Sequence, residues 1–331
     1  MRIGAALHTV GRGLSMMVAQ NTGKDLSTPA RLGLLLAAGV LAAGVFLFLS
    51  RPTVRGGAVG PLSTSCQELP EFVRQKDIKN AAFDTSRRGV DGLVMYDADN
   101  PQTYFQLPGW KQFGSLGPIA TDEAGNIYTA PVPNINTLNN PPQEQNDIYV
   151  VDAASGEMSL YYTLQDVPLP DQKNPYGILS LAYDCETKVL YASTVSGSAE
   201  GQPRGSIIAI DTTVKQEIGR LSGVDAISAG LFRDERGAGL YFGMAGRSEV
   251  WRVGLAKDGK LVGRPQKAFG YDKFNELKPR KLVFSSTPQG QQLQIHTTEF
   301  RYNLIASTEF RQEYIDFRYD EDSDSWQKLA E

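Results

Sequence analysis

The sequence predicts an all-β fold, a β-propeller of five blades with six as the alternative, preceded by a single N-terminal transmembrane helix. Three observations support this prediction. One strand-turn-strand pattern recurs along the chain from about residue 66 onward. The recurring segments alternate apolar and polar residues and are rich in β-branched and aromatic side chains, as strands are. One uninterrupted apolar run near the N-terminus stands apart from that pattern.

Composition narrows the classes of protein that need to be considered. The chain has 331 residues, of which 41% are hydrophobic and 21% charged, and these values are typical of a folded protein. The formal net charge is −4 and no long cluster of Lys and Arg occurs, so nucleic acid is not expected as a partner. The 33 glycines and 18 prolines favour many turns and short strands.

The apolar run covers residues 32–49 and contains no charged side chain. At roughly 1.5 Å per residue, a helix of this length spans about 27 Å, close to the roughly 30 Å hydrocarbon core of a bilayer. The flanking Arg31 and Arg51 have long side chains that can reach the two interfaces. We therefore expect a segment embedded in the lipid bilayer as an uncleaved signal anchor, with a cleaved signal peptide as the alternative.

Basic residues outnumber acidic residues before this run, which favours a cytoplasmic N-terminus. The bulk of the chain would then be extracytoplasmic, either periplasmic or extracellular. Residues 1–24 contain no Asp or Glu, so a mitochondrial transit peptide, with location in the mitochondrial inner membrane, is the alternative. The predicted parts are a cytoplasmic tail (1–31), the transmembrane helix (32–50), a linker (51–77) and the propeller (78–331).

Cys66 and Cys185 both follow the apolar run. An oxidising compartment would permit a disulfide between them, which would tie the incoming linker to the folded domain. Two unrelated thiols are the alternative. Neither cysteine lies in a CxxC motif or near enough histidines for a zinc site.

Four complete copies of the repeat follow, and each contains two successive hairpins. The first hairpins begin at Gly117, Gly177, Ala226 and Arg280, and the second at Asp147, Ser206, Glu249 and Glu313. A shorter copy begins at Gly92, and residues 80–84 are the candidate for its missing strand. Four strands in about 50 residues are typical of a propeller blade. The sequence therefore predicts five blades.

Three of the second strands carry a Tyr at matching places (Tyr128, Tyr191 and Tyr241), and one third strand reads Tyr-Val-Val-Asp. With these features the blades resemble the six-bladed superfamily of gluconolactonase and senescence-marker-protein-like propellers, over about residues 78–325. The resemblance implies a divalent metal, usually calcium, held by oxygen ligands in the central channel. Such a metal would serve a lactonase or esterase type of hydrolysis.

Asn174 and Asp225 match the ligand pattern of that family in character, and Asn80 is the candidate for the first blade, which lacks the family's Glu-Gly-Pro. Asn174 and Asp225 are also typical turn residues, so a structural role is the alternative. The last blade begins with Arg280 and Lys281. These side chains would place positive charge in the channel, either beside a metal or instead of one.

Two long polar loops, within residues 134–148 and 195–205, join second to third strands. Both should emerge on one face of the propeller, where loops commonly form binding surfaces. The candidate binding residues are Asn134, Asn136, Asn139, Asn140 and Arg204.

Two functional classes follow from these patterns. In the first, the chain is a binding or assembly module that presents its loops and channel to a membrane-proximal protein or a small ligand. In the second, it is a calcium-dependent hydrolase. The missing first-blade Glu and the basic pair Arg280 and Lys281 favour the binding module. Catalytic residues stay unassigned, because no Gly-x-Ser-x-Gly motif accompanies His296, the one histidine after the apolar run.

Overall fold

The structure is a computed structural model that describes residues 65–66, 68–76, 78, 80–87, 89–133, 141–303 and 311–329. All of them belong to one compact unit, Ala58–Glu331. The predicted cytoplasmic tail and transmembrane segment lie outside the described residues. Within the described part of the chain, no helix is long and apolar enough to span a bilayer.

Five antiparallel sheets follow one another along the chain and form the five blades of an all-β propeller. Blade 1 contains β1 (Ala81–Asp84), β2 (Val94–Asp97) and β3 (Asn100–Phe105). Blade 2 contains β4 (Leu116–Thr121), β5 (Ile127–Pro131), β6 (Asp147–Val151) and β7 (Met158–Thr163). Blade 3 contains β8 (Ile178–Asp184), β9 (Val189–Thr194), β10 (Ser206–Asp211) and β11 (Gln216–Ser222). Blade 4 contains β12 (Ala226–Asp234), β13 (Gly237–Met244), β14 (Glu249–Leu255) and β15 (Leu261–Gly270). Blade 5 contains β16 (Lys278–Thr287), β17 (Gly290–Thr298), β18 (Gln312–Asp320) and β19 (Ser325–Lys328).

The prediction of five blades is confirmed, and the six-bladed alternative is wrong. Blade 1 has three strands because Ala81–Asp84 supplies the strand that pairs with Val94–Asp97, and the described residues contain no fourth strand. Blade 5 takes all four of its strands from consecutive positions at the C-terminal end of the propeller, since β19 pairs with β18. The first strands of blades 2 to 5 lie side by side in the order of the chain: β4 contacts β8, β8 contacts β12, and β12 contacts β16.

Aspartates stabilise the tight turns that close the hairpins. In blade 3, the Oδ1 of Asp184 accepts the N–H of Glu186 at 3.0 Å, and the Oδ1 of Asp211 accepts the N–H of Thr213 at 2.8 Å. A carboxylate that caps the backbone two residues on favours a turn over continued strand. The polar turn residues of the repeat therefore determine where each strand ends.

The matching tyrosines of the second strands pack between blades. Tyr128, Tyr191 and Tyr241 are all at most 3% exposed. Each buried hydroxyl has a partner: that of Tyr191, for example, donates to the carbonyl of Gly259 in blade 4 at 2.6 Å. Tyr128 stacks on Tyr183 of blade 3, with ring centroids 5.9 Å apart. These side chains bury large apolar rings while their hydroxyls remain satisfied.

The segment before blade 1 packs onto the propeller. Cys66 and Cys185 form the expected disulfide, with their Cα atoms 5.8 Å apart. The short helix α1 (Glu71–Arg74) buries Phe72 and Val73, and the ring of Phe72 meets that of Trp110 edge to face at 5.9 Å. Part of the stretch between residues 51 and 77 is thus integrated into the hydrophobic core of blades 1 and 2.

Candidate functional site

The candidate site lies on the face that carries the second-to-third-strand loops and the connections between blades, which we call the loop face. In the described residues it includes segments 164–177, 195–205, 223–225, 245–248, 271–277 and 299–303. The residues that the sequence singled out for chemistry are found at the points where these segments meet the innermost strands.

Asn174 is only 2% exposed and precedes β8. Its Nδ2 donates to the carbonyls of Val195 at 2.7 Å and Ser198 at 2.9 Å. Its Oδ1 accepts the N–H of Tyr176 at 3.2 Å. The side chain therefore anchors the 195–205 loop to the connection between blades 2 and 3.

Asp225 is also 2% exposed and stands just before β12. Its Oδ1 accepts the hydroxyl of Ser198 at 2.6 Å and the N–H of Gly205 at 2.8 Å. Its Oδ2 accepts the hydroxyl of Tyr302 at 2.5 Å. Burial, followed by this hydrogen bond to Asp225, raises the pKa of Tyr302 well above its ordinary value, so the phenol stays protonated.

The structure brings Asn174 and Asp225 together around Ser198, but it does not bring Asn80 to them. Asn80 is exposed before β1, where its amide lies 3.5 Å from the carboxylate of Asp99. Both carboxylate oxygens of Asp225 and the carbonyl oxygen of Asn174 already accept hydrogen bonds from the protein. Among the described residues, no three His, Cys, Asp or Glu side chains are close enough to hold a metal. These residues, as arranged, do not fit the calcium site that the family resemblance implies.

Arg280, for which the sequence predicts a place in the central channel, lies on β16, the first strand of blade 5. Its Nη1 donates to the carbonyls of Leu179 on β8 and Ile227 on β12, both at 3.0 Å. The guanidinium of blade 5 thus reaches the innermost strands of blades 3 and 4, and burial lowers its pKa. Lys281, the next residue, has an exposed side chain and pairs with His296 in the neighbouring strand.

Three aromatic residues of the loop face were missed by the sequence reasoning. Tyr176, Phe300 and Tyr302 are each partly buried and pack against an apolar cluster that includes Leu179 and Ile227. The ring centroid of Phe300 lies 5.4 Å from that of Tyr176 and 5.5 Å from that of Tyr302. The one signal in the sequence is the position of each aromatic residue in a polar segment next to a strand.

Of the predicted binding residues, Arg204 lies on the exposed surface of the 195–205 loop, and its backbone N–H donates to the hydroxyl of Ser198 at 2.9 Å. The remaining four, Asn134, Asn136, Asn139 and Asn140, lie outside the described residues. The blade 3 loop is therefore held by Asn174, Asp225 and Ser198, and it presents Arg204 to solvent.

No protein-family model matches this chain, and no curated protein does. Solved structures match at low identity. They include TolB from Acinetobacter baumannii (10% identity, TM-score 0.43, covering 77% of this chain and 53% of that one). They also include the calcium-binding protein regucalcin from Agrobacterium tumefaciens (13%, TM-score 0.42, 76% and 72%) and the Dos1 propeller (12%, TM-score 0.41, 67% and 50%). The chain thus spans about half the length of two of these three proteins. Similarities this distant carry no argument about activity. The fold assignment rests on the five sheets of the structure itself.

Proposed function

We propose that this chain is a membrane-anchored, extracytoplasmic β-propeller that binds a ligand or assembles with a protein through its loop face. The observation that carries the proposal is the fixed conformation of the blade 3 loop, residues 195–205. Asn174 and Asp225 hold it with buried hydrogen bonds, and it projects Arg204 into solvent. A loop fixed in advance loses little conformational entropy on binding, which favours affinity.

The disulfide supports the proposed location. Disulfides persist in oxidising compartments and are rare in the cytosol, where thiols are kept reduced. Cys66 and Cys185 account for all the cysteines of the chain, so every thiol that the sequence provides is used in this crosslink. The predicted anchor over residues 32–49, with a cytoplasmic N-terminus, would place the propeller and its disulfide outside the cytoplasm.

The hydrolase alternative that accompanies the resemblance to gluconolactonases has less support. Its metal ligands would be Asn174 and Asp225, whose oxygens bind backbone and side-chain donors of the loop face. We therefore assign these two residues to positioning the loop and derive no reaction through a metal.

Two measurements on the full chain test the proposal. For location, the chain is expressed with its own N-terminus in a Gram-negative bacterium, and protease is added to spheroplasts. We expect the propeller to be accessible while a cytoplasmic marker stays intact. A propeller protected to the same degree as the marker would refute the extracytoplasmic location.

For binding, a photo-crosslinking amino acid is placed at Arg204 or, as the matched control, at Lys257. Lys257 is exposed in the turn between β14 and β15, among the turns that close hairpins at the opposite ends of the strands. We expect irradiation in native membranes to give a discrete adduct from position 204 and none from position 257. Equal adducts from both positions, or none from position 204, would contradict a binding role for the loop face.

A further inference from the structure

The guanidinium of Arg280 uses only part of its hydrogen-bonding capacity within the protein. Nη1 carries two hydrogens, and the carbonyls of Leu179 and Ile227 accept one each. Among the described residues, Nε and Nη2 have no hydrogen-bond partner, and no carboxylate lies within ion-pair distance of them. Neither nitrogen belongs to the side-chain atoms that are sealed from solvent without a partner, so each keeps some exposure to solvent.

The two free nitrogens form one edge of the guanidinium plane. An N–H from Nε and an N–H from Nη2 run parallel along this edge, and they match the two oxygens of a carboxylate in a bidentate pair. The fixed pair of carbonyls at Nη1 restrains the plane. The donor edge is therefore held in place before any ligand arrives, which lowers the entropic cost of binding.

Within the part of the chain that the structure describes, no carboxylate pairs with Arg280 to balance its positive charge. Asp225 is the buried acid of this region, and its two oxygens are occupied by Ser198, Gly205 and Tyr302. An arginine remains charged even where burial lowers its pKa, since the pKa of a guanidinium lies far above neutral pH. A partly buried charge without a counter-ion is costly, so an incoming anion gains from pairing with it.

The neighbourhood of Arg280 is otherwise apolar and aromatic. Tyr176, Phe300 and Tyr302 pack on Leu179 and Ile227, whose carbonyls hold the guanidinium. All three aromatic side chains keep partial exposure. Burial raises the pKa of Tyr176, so this ring adds no negative charge beside the arginine.

We propose that Arg280 and the aromatic side chains Tyr176, Phe300 and Tyr302 form a binding site for a small carboxylate with an aromatic or apolar body. The carboxylate pairs with Nε and Nη2 of Arg280, and the body of the ligand lies against the rings. This site deepens the proposed function, because it assigns a ligand class to the loop face on which that function rests.

The experiment uses the purified full chain in detergent, with benzoate as the probe. Benzamide serves as the neutral isostere and inorganic phosphate as the alternative anion. We expect benzoate to raise the melting temperature in a concentration-dependent way, as a ligand of the folded state must. Benzamide and phosphate should leave it within error of the buffer value. These measurements need only the wild-type chain.

Variants locate the site. Arg280→Lys keeps a positive charge but loses the two parallel N–H donors of the guanidinium. It should weaken benzoate binding at least tenfold, as expected for loss of a bidentate charged pair. Phe300→Ala leaves every hydrogen bond of Arg280 in place and should weaken binding several-fold. Lys257→Gln, at the exposed turn between β14 and β15, should bind as the wild type does.

Three results would overturn the site: no shift with benzoate, an equal shift with benzamide or phosphate, or unchanged affinity in both Arg280→Lys and Phe300→Ala. These failures are distinguishable from failure of the proposed function. A discrete adduct from position 204 without benzoate binding retains the binding face and removes only the carboxylate site.

Discussion

Asp225 allows the structural and metal-binding interpretations of the loop face to be separated by one substitution. Asp225→Ala removes the acceptor of three hydrogen bonds, from the hydroxyl of Ser198, the N–H of Gly205 and the hydroxyl of Tyr302. Ser198 and Gly205 are buried, so their donors are left without a partner, whereas partly exposed Tyr302 can turn to water. At about 1–3 kcal/mol for each of these two stranded donors, the variant should lose about 2–6 kcal/mol of unfolding free energy.

Urea unfolding followed by tryptophan fluorescence, with and without 5 mM calcium, measures this loss. A loss of that size should lower the melting temperature by about 10 °C in a domain of this size. Asp225→Asn keeps one carbonyl acceptor and should fall between the wild type and Asp225→Ala. Glu235→Ala, at an exposed turn position, is the control and should change stability by less than about 0.5 kcal/mol.

The reasoning would be refuted by a loss below about 1 kcal/mol, because the three contacts would then carry little energy. It would also be refuted by a loss that appears only when calcium is present. That result would show that Asp225 contributes through a bound metal and not through the loop it holds.

Three further predictions follow from the structure. Gly177→Ala should destabilise the protein by more than about 3 kcal/mol in urea unfolding, because the added Cβ would lie 1.8 Å from a backbone oxygen. Gly246→Ala, with open space around the added Cβ, is the control and should be nearly neutral. Equal effects of the two substitutions would be inconsistent with the packing at Gly177. Replacing Cys66 and Cys185 together by Ser opens a crosslink with a sequence separation of 119 and should cost about 4–5 kcal/mol in the same assay. Reductant should bring the wild type to the stability of this double variant, and a wild type insensitive to reductant would contradict the crosslink. Calcium at 5 mM should shift the melting temperature of the wild type by less than about 1 °C, and a larger rise that Asp225→Ala abolishes would restore the metal site.

The blades were predictable because their information is local. Alternating apolar residues define each strand, and turn aspartates such as Asp184 and Asp211 cap the backbone within two residues of themselves. The disulfide was predictable for a different reason, since Cys66 and Cys185 are the only cysteines of the chain. The number of blades followed from counting repeats, including the incomplete copy that became the three-stranded blade 1.

The candidate site was less predictable because its contacts join residues that are far apart in sequence. Arg280 meets the carbonyl of Leu179 across 101 positions, and Tyr302 meets Asp225 across 77. Neither pairing leaves a trace in local periodicity. Asn174 shows the same limit: its neighbour Pro175 suggests a turn, but the carbonyls of another loop that its amide holds are visible only after folding.

The crosslink between Cys66 and Cys185 also determines how mechanical load enters the domain. Tension applied to the chain ahead of residue 66 passes through the sulfur–sulfur bond directly to the turn between β8 and β9 in blade 3. Blades 1 and 2 lie within the covalently closed loop and are outside the path of that force. A pull on the N-terminal side would therefore not peel away the three-stranded blade first. Only reduction of the bond would transfer the force to α1 and, after it, to Ala81–Asp84 of blade 1.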